Sequence, residues 1–364
     1  MTIFSVRFGK VLAAASLAAL AGAVAAAQEV PADLATMPAV AATFDPPRTL
    51  WGDPDFRGTF PIDNIARIPF ERLPEYGDRF WLTEEEFAAQ RATAATSDER
   101  YAAEDADGRL GMGAFITAET SGRRTSLLVS PADGRLPALT PYAEEKYRNG
   151  RSSWTDGVDF DGPADFDTFD RCVTRGFPAT MMPHRYNNGL RVMQAPGHVV
   201  IMTEMVHEAR IVPVMDPADM AARRWPEGLR TWMGQSLGWW DGNTLVIETT
   251  NIRTGDSVDE DHLARGPSPL NLATHGREPW NILPTSPDAR ATERITMTGP
   301  DSLVYEVTYT DPQVFTAPWT ARLDWTRNEQ YELFEYACHE GNVQLRNYVT
   351  ASRAQRAGAI PTTD

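Results

Sequence analysis

The sequence predicts a mainly β protein of α+β type: an antiparallel β-barrel wrapped by an N-terminal helical and irregular segment. Three observations predict it. From Gly189 onward the chain breaks into about eight short β-rich runs separated by turn residues. Within those runs apolar and polar residues alternate, so that Leu303, Tyr305, Val307 and Tyr309 share one face opposite Ser302, Glu306 and Thr308. No stretch alternates strand with helix in the manner of a parallel sheet, and no segment repeats. Antiparallel strands joined in chain order close most simply as an up-and-down barrel.

Taken in order, the elements begin with a secretory signal. Arg7 and Lys10 precede an Ala/Leu run from Val11 to Val24, and Ala25-x-Ala27 offers a small-residue cleavage site. The run is too short and too Ala-rich for a stable membrane span. Residues 1–27 are read as a signal peptide cut after Ala27, which sends the mature chain to the periplasm or outside the cell. Residues 28–50, rich in Ala and Pro, read as a flexible leader, and 51–188 as the α/irregular segment packed on the barrel. There Thr83 and Glu86 form a capping box for a helix running to about Ala94. Ser126–Ser130 reads as a short strand ended by the turn Pro131-Ala132-Asp133-Gly134, and Thr140 caps a second helix from Pro141 to Tyr147. An Asp/Gly-rich loop covers 155–170. The barrel spans 189–350, with strands at Leu190–Gln194, within Val199–Val214, and at Leu245–Thr250, Glu293–Thr298, Leu303–Thr310, Trp319–Thr326 and Tyr331–Cys338. Residues 351–364 form a tail.

Charge narrows the partners. The 364 residues carry 34 Lys+Arg against 50 Asp+Glu, a net charge of −16, and the first 27 contribute two basic residues and no acidic one. Such acidity disfavours nucleic acid and anionic membranes, whose phosphates require Lys and Arg. No second apolar stretch reaches the length of a span, so integral membrane association is not expected. The only cysteines, Cys172 and Cys338, suit a disulfide in an oxidising compartment; closing a loop of about 165 residues restricts the unfolded chain. Two thiols cannot make a structural zinc site, and the six scattered histidines show no paired metal-ligand spacing. Asp259-Glu260-Asp261-His262 lacks the alternation and glycine of a calcium loop and reads as solvated. No phosphate-cradling glycine loop or dinucleotide fingerprint occurs. Neither metal nor organic cofactor is expected.

Five runs in this order carry a family resemblance: Arg171-Cys172-Val173-Thr174-Arg175-Gly176, Tyr186-Asn187-Asn188, Glu204 through Arg210, Trp240 through Asn251, and Tyr336 through Asn342. With Trp51-Gly52-Asp53-Pro54-Asp55 and Pro69-Phe70-Glu71-Arg72, the set resembles a large family of secreted bacterial proteins of unknown function. It covers nearly all of the mature chain, apart from a longer, Pro-rich 255–291. The barrel pattern is similar to lipocalin-like barrels, which enclose a small organic molecule.

Several groups bear chemistry. Gly234-Gln235-Ser236-Leu237-Gly238 matches a nucleophile elbow, but a strand rather than a helix follows, so it reads as a turn feeding a strand. Glu204, His207 and Arg210 lie around an expected hairpin tip. A two-residue loop would set Glu204 opposite Ala209 and a three-residue loop opposite Arg210, the latter joining a general base to an anion clamp; a solvated tip with a surface ion pair explains the same residues. His339 follows the disulfide at the expected end of the last strand, where a rigid backbone suits an acid or base. Tyr186, Asn187 and Asn188, together with Trp240 and Tyr336, are candidates for substrate contact, since ten Trp, ten Tyr and fifteen Phe suggest an aromatic-lined site. The expected function is a cofactor-independent acid–base enzyme, a lyase, isomerase or hydrolase, acting on a small hydrophobic, plant-phenolic-like molecule. The alternative is a non-catalytic lipocalin-like carrier.

Overall fold

Alternation organises the C-terminal half. The computed structural model describes residues 30–106, 122–150, 152–155, 157–184, 186–254, 269–270 and 282–359. The expected signal peptide, the Asp259–His262 run, most of 255–291 and the last residues of the tail lie outside the described residues. The strands are β1 (Gly58–Pro61), β2 (Leu128–Ser130), β3 (Gly189–Ala195), β4 (His198–Thr203), β5 (Ala209–Pro213), β6 (Gln235–Asp241), β7 (Thr244–Thr250), β8 (Arg290–Gly299), β9 (Ser302–Thr310) and β10 (Trp319–Thr326). In β9 every second residue from Leu303 to Tyr309 is buried, as the period of two requires.

The strands form two antiparallel sheets, in the orders β1-β3-β4-β5 and β2-β10-β9-β8-β7-β6. One closed ladder was expected. Two seams interrupt it instead. After β5 the chain turns away at Pro213 and Pro217, which have no N–H to donate, and among the described residues the backbone joins β6 only through the Val214–Gly238 bridge and Met215 N–H to the Gly238 carbonyl. At the other seam the four-residue β1 meets the segment after β10 through Asn328 N–H to the Thr59 carbonyl, 2.8 Å. The space between the sheets is packed rather than hollow. Phe60, Tyr305 and Trp325 are fully buried there with Phe56, Phe177, Tyr309 and Trp319. Tyr305 stacks on Trp325 with centroids 4.9 Å apart, and Tyr309 on Trp319 at 5.1 Å.

The helices follow their caps. Helix α1 (Glu84–Ala106) is preceded by the expected capping box: Glu86 N–H donates to Thr83 Oγ1 at 3.1 Å, and Thr83 N–H to Glu86 Oε2 at 2.8 Å. Arg79 adds two hydrogen bonds to Glu86, and these hold its carboxyl down to about 2. The helix runs beyond Ala94 because no Gly or Pro interrupts Ala88–Ala106. Thr83→Ala is expected to lower unfolding free energy by about 1 kcal/mol in urea titrations, with Thr83→Ser near wild type. Helix α2 (Pro141–Asn149) starts where Ala143 N–H reaches Thr140 Oγ1.

The expected last strand, Tyr331–Cys338, is not part of a ladder. After β10 the chain turns at Asn328–Tyr331 and runs without regular structure to the short helix α3 (Cys338–Gly341) and then to α4 (Gln344–Arg356). Side chains of the body, Glu204 and His207, take the Phe334 and Tyr336 N–H groups that a neighbouring strand would have taken. We call residues 327–337 the strap. Beyond it, α4 docks on the 159–166 loop: Phe160 N–H donates to Ser352 Oγ, and Arg356 pairs with Asp159 and Asp161. The disulfide between Cys172 and Cys338 is formed, with Cα atoms 5.7 Å apart, and fastens the strap's end to the segment before β3. Among the described residues no helix is long and apolar enough to cross a membrane.

Candidate functional site

Three segments far apart in sequence meet at the end of the four-stranded sheet where β3 begins and β4 ends. They are 169–188, the β4–β5 connection and the strap.

The β4–β5 connection is longer than a tight hairpin. Met202 faces Ala209 and Ile201 faces Arg210, leaving Thr203–Glu208 outside the ladder. Arg210 is therefore not opposite Glu204. A single turn, Met205–His207, reverses the chain, with Val206 at φ 62° and His207 at φ 55°. Left-handed backbone is costly for a β-branched residue, by about 1–3 kcal/mol, and persists only where surroundings impose it. Here Thr203 N–H bonds the Glu208 carbonyl across the turn, while Met205 is buried against Phe169.

Glu204 is buried and its carboxylate is fully engaged. Oε1 accepts from Asn187 Nδ2 at 2.8 Å and Phe334 N–H at 3.1 Å; Oε2 accepts from Gly189 N–H at 2.9 Å and the Tyr331 hydroxyl at 2.7 Å. The approach is close enough to exclude a side chain at position 189. A Cβ there would lie 2.3 Å from Leu333 and 2.5 Å from Glu204 Oε2. His207 is exposed, and its Nε2 accepts the Tyr336 N–H at 2.8 Å. The neutral ring therefore carries its proton on Nδ1. Both residues grip the strap.

Beneath that grip lies a group of rings. Tyr336 stacks on Tyr186 with centroids 6.3 Å apart and on Phe169 at 6.4 Å. His184 meets Tyr186 edge-on at 5.0 Å and Phe169 at 5.8 Å. Tyr186 and Tyr336 are half-buried, so solvent reaches one side of the stack. Burial, the neighbouring Tyr186 and a hydrogen bond with it push the Tyr336 phenol well above its ordinary value.

Ionisable groups back the rings. Arg175 is 1% exposed and donates to the Met182 carbonyl at 2.9 Å; burial pulls its guanidinium down to about 10 against the charge of Glu208. Glu208 accepts from Thr174 Oγ1 at 2.5 Å and Thr180 Oγ1 at 3.3 Å. Burial still raises its carboxyl, outweighing those hydroxyls and Arg175. Asp170, half-buried and bonded by the Ser153 hydroxyl, is raised by burial as well. A carboxyl with elevated proton affinity beside a fixed cation and a stacking face can exchange a proton with a flat ligand and steady the charge left behind. Among the described residues no group of three or more His, Cys, Asp or Glu is placed to hold a metal ion.

The expected site residues divide accordingly. Glu204 and His207 come together, as do Tyr186 and Tyr336. Asn187 bonds Glu204, while Asn188 ties His184 to Asp63 through its amide, at 2.8 Å and 2.9 Å, and so positions the loop. Arg210 points into the core. His339 is exposed on α3, whose N-terminal Cys338 closes the disulfide. Trp240 lies toward the other end of β6, packed edge-on against Phe56 at 5.2 Å. Arg175, Glu208, Phe169 and Asp170 were not singled out by sequence. Residue type alone did not distinguish Arg175 and Glu208 from neighbouring charges. Comparisons with protein-family models, with curated proteins and with solved structures found no match.

Proposed function

We propose that this chain is a secreted or periplasmic enzyme that works without an organic cofactor, moving a proton on a small aromatic molecule in a lyase, isomerase or hydrolase reaction. One observation carries the reading: rings from two distant segments, 169–188 and the strap, stack together, with the buried Arg175 beside the charge of Glu208 and His207 bonded to the Tyr336 N–H. The ligand ring lies on Tyr186 and Tyr336. Glu208 holds or takes the proton, Arg175 steadies developing negative charge, and His207 donates through Nδ1–H. Glu204 becomes a positioning residue for the strap, and Arg210 and His339 drop from the chemistry. Two sheets stand in place of a closed barrel and the space between them is filled by aromatic side chains, so the ligand belongs at this end and not in a lumen. The disulfide agrees with an oxidising compartment.

The test is a panel of hydroxylated aromatic esters, glycosides and hydroxycinnamates, followed by chromatography and mass spectrometry with wild type and Glu208→Gln. Loss of the proton-carrying group is expected to lower kcat/KM by about 10²–10⁴-fold. Equal turnover by both proteins would remove Glu208 from the reaction. The complete bonding of Glu204 favours a second reading, the non-catalytic carrier. Saturable binding of panel members without turnover by wild type would select it.

A further inference from the structure

A second concavity opens where the chain leaves β10. Pro47, Asp55, Arg57, Gly58, Arg327 and Glu329 line a cleft of about 300 Å³, at the small end of ligand pockets. None of the stacked rings contributes to it. Gly58 in β1 forms part of its wall, and a Cβ there would come within 2.8 Å of Arg327 Nε and 2.9 Å of Glu329 Oε1. The absence of that Cβ lets a guanidinium lie against the strand.

The two arginines are placed differently. Arg57 closes on Asp55 with two hydrogen bonds, Nε to Oδ1 at 2.8 Å and a terminal nitrogen to Oδ2 at 2.6 Å. The hydrogen bond with Arg57 chiefly keeps the Asp55 carboxyl below its ordinary value, with the charges of Arg57 and Arg327 adding to it. Arg327 has no such match. Its side chain is 22% exposed and lies over Phe60 at 5.7 Å, and the nearest carboxylate oxygen, on Glu329, stops 3.9 Å from Nε. That is beyond hydrogen-bond reach, and the buried Nε has no hydrogen-bond partner. A buried guanidinium N–H without an acceptor is costly, and a planar pair of oxygens satisfies the donor fork best.

We propose that this cleft binds a small organic monocarboxylate, its two oxygens received by the Arg327 guanidinium. Asp55 and Glu329 on the rim repel a dianion such as sulfate, and Asp55 accepts a hydrogen bond from a hydroxyl beside the acid group. Glu329, with its side chain 63% exposed, is free to swing aside as the ligand enters. Small hydroxy acids fit this description.

The experiment titrates the whole chain with lactate, read by ligand-observed nuclear magnetic resonance, with lactamide and sulfate as comparators. Saturable lactate binding is expected, with lactamide and sulfate each at least about tenfold weaker. Arg327→Gln is expected to weaken lactate about tenfold or more. Glu329→Gln, which removes a competing charge at an exposed position, is expected to tighten it about threefold. Thermal unfolding of both variants reports whether they fold, and Glu329→Gln decides the matter alone if Arg327→Gln does not. Absent saturation, equal binding of lactamide or sulfate, or weaker binding by Glu329→Gln would each overturn the proposal.

Discussion

Replacing Arg210 with methionine is expected to destabilise the fold by about 3–5 kcal/mol, one of the largest single-residue effects in the molecule. Arg210 reaches from β5 across to Glu293 on β8, with hydrogen bonds of 2.8 and 2.5 Å, and neither side chain is more than 2% exposed. Ser236 and Thr249 accept from the same guanidinium at 3.0 and 3.3 Å, and Phe177 lies 4.3 Å from it. Burial opposes the charge on Arg210, yet Glu293 outweighs it and holds the guanidinium above its ordinary value. Tyr305 donates to Glu293 at 2.8 Å; burial and that negative charge raise its phenol well above the usual value. Removing Arg210 leaves a carboxylate in the core with hydroxyl partners alone. The double variant Arg210→Met/Glu293→Leu is expected to recover more than half of the loss, because no charge is then stranded. Urea unfolding at neutral pH measures both. A cost below about 1 kcal/mol for the single change would mean that the two sheets are not joined by this pair.

The second large effect concerns the strap. Exchanging both Cys172 and Cys338 for serine is expected to cost about 3–5 kcal/mol, since a closure spanning 166 residues is worth about 5 kcal/mol in the loop-entropy model. The loss should be felt locally as well. Without the disulfide, Asn342 Nδ2 to the Asp170 carbonyl and the bonds to Glu204 and His207 hold 331–342 in place. Limited proteolysis should then cut within 327–337 before other sites, and aromatic ligands of the Tyr186–Tyr336 stack should bind more weakly. An unchanged urea midpoint together with an uncut strap would show that the side-chain bonds suffice.

Much of the fold was legible where the signal is local. The alternation of β9, the Thr83–Glu86 box and the Thr140 cap each involve residues within a few positions of one another, and physical rules at that range are strong. The disulfide was legible for another reason: two cysteines admit one pairing. The candidate site was legible only in part. Glu204 and His207 stood out as a carboxylate and an imidazole beside a turn, yet their partners, Phe334 and Tyr336, lie 130 and 129 residues away.

The sequence by itself determined most of the strands after Gly189, the residues that cap α1 and α2 and where the covalent staple falls. These depend on the period of the backbone and on near neighbours. Only the tertiary structure decided that Arg210 serves the core and not the turn, because its partner arrives on another sheet 83 residues later. It likewise decided that the last expected strand is a strap, because side chains of the body intercept its backbone donors. Long-range charge pairing and the burial that shifts Arg175 and Glu208 arise from packing, which no local pattern encodes.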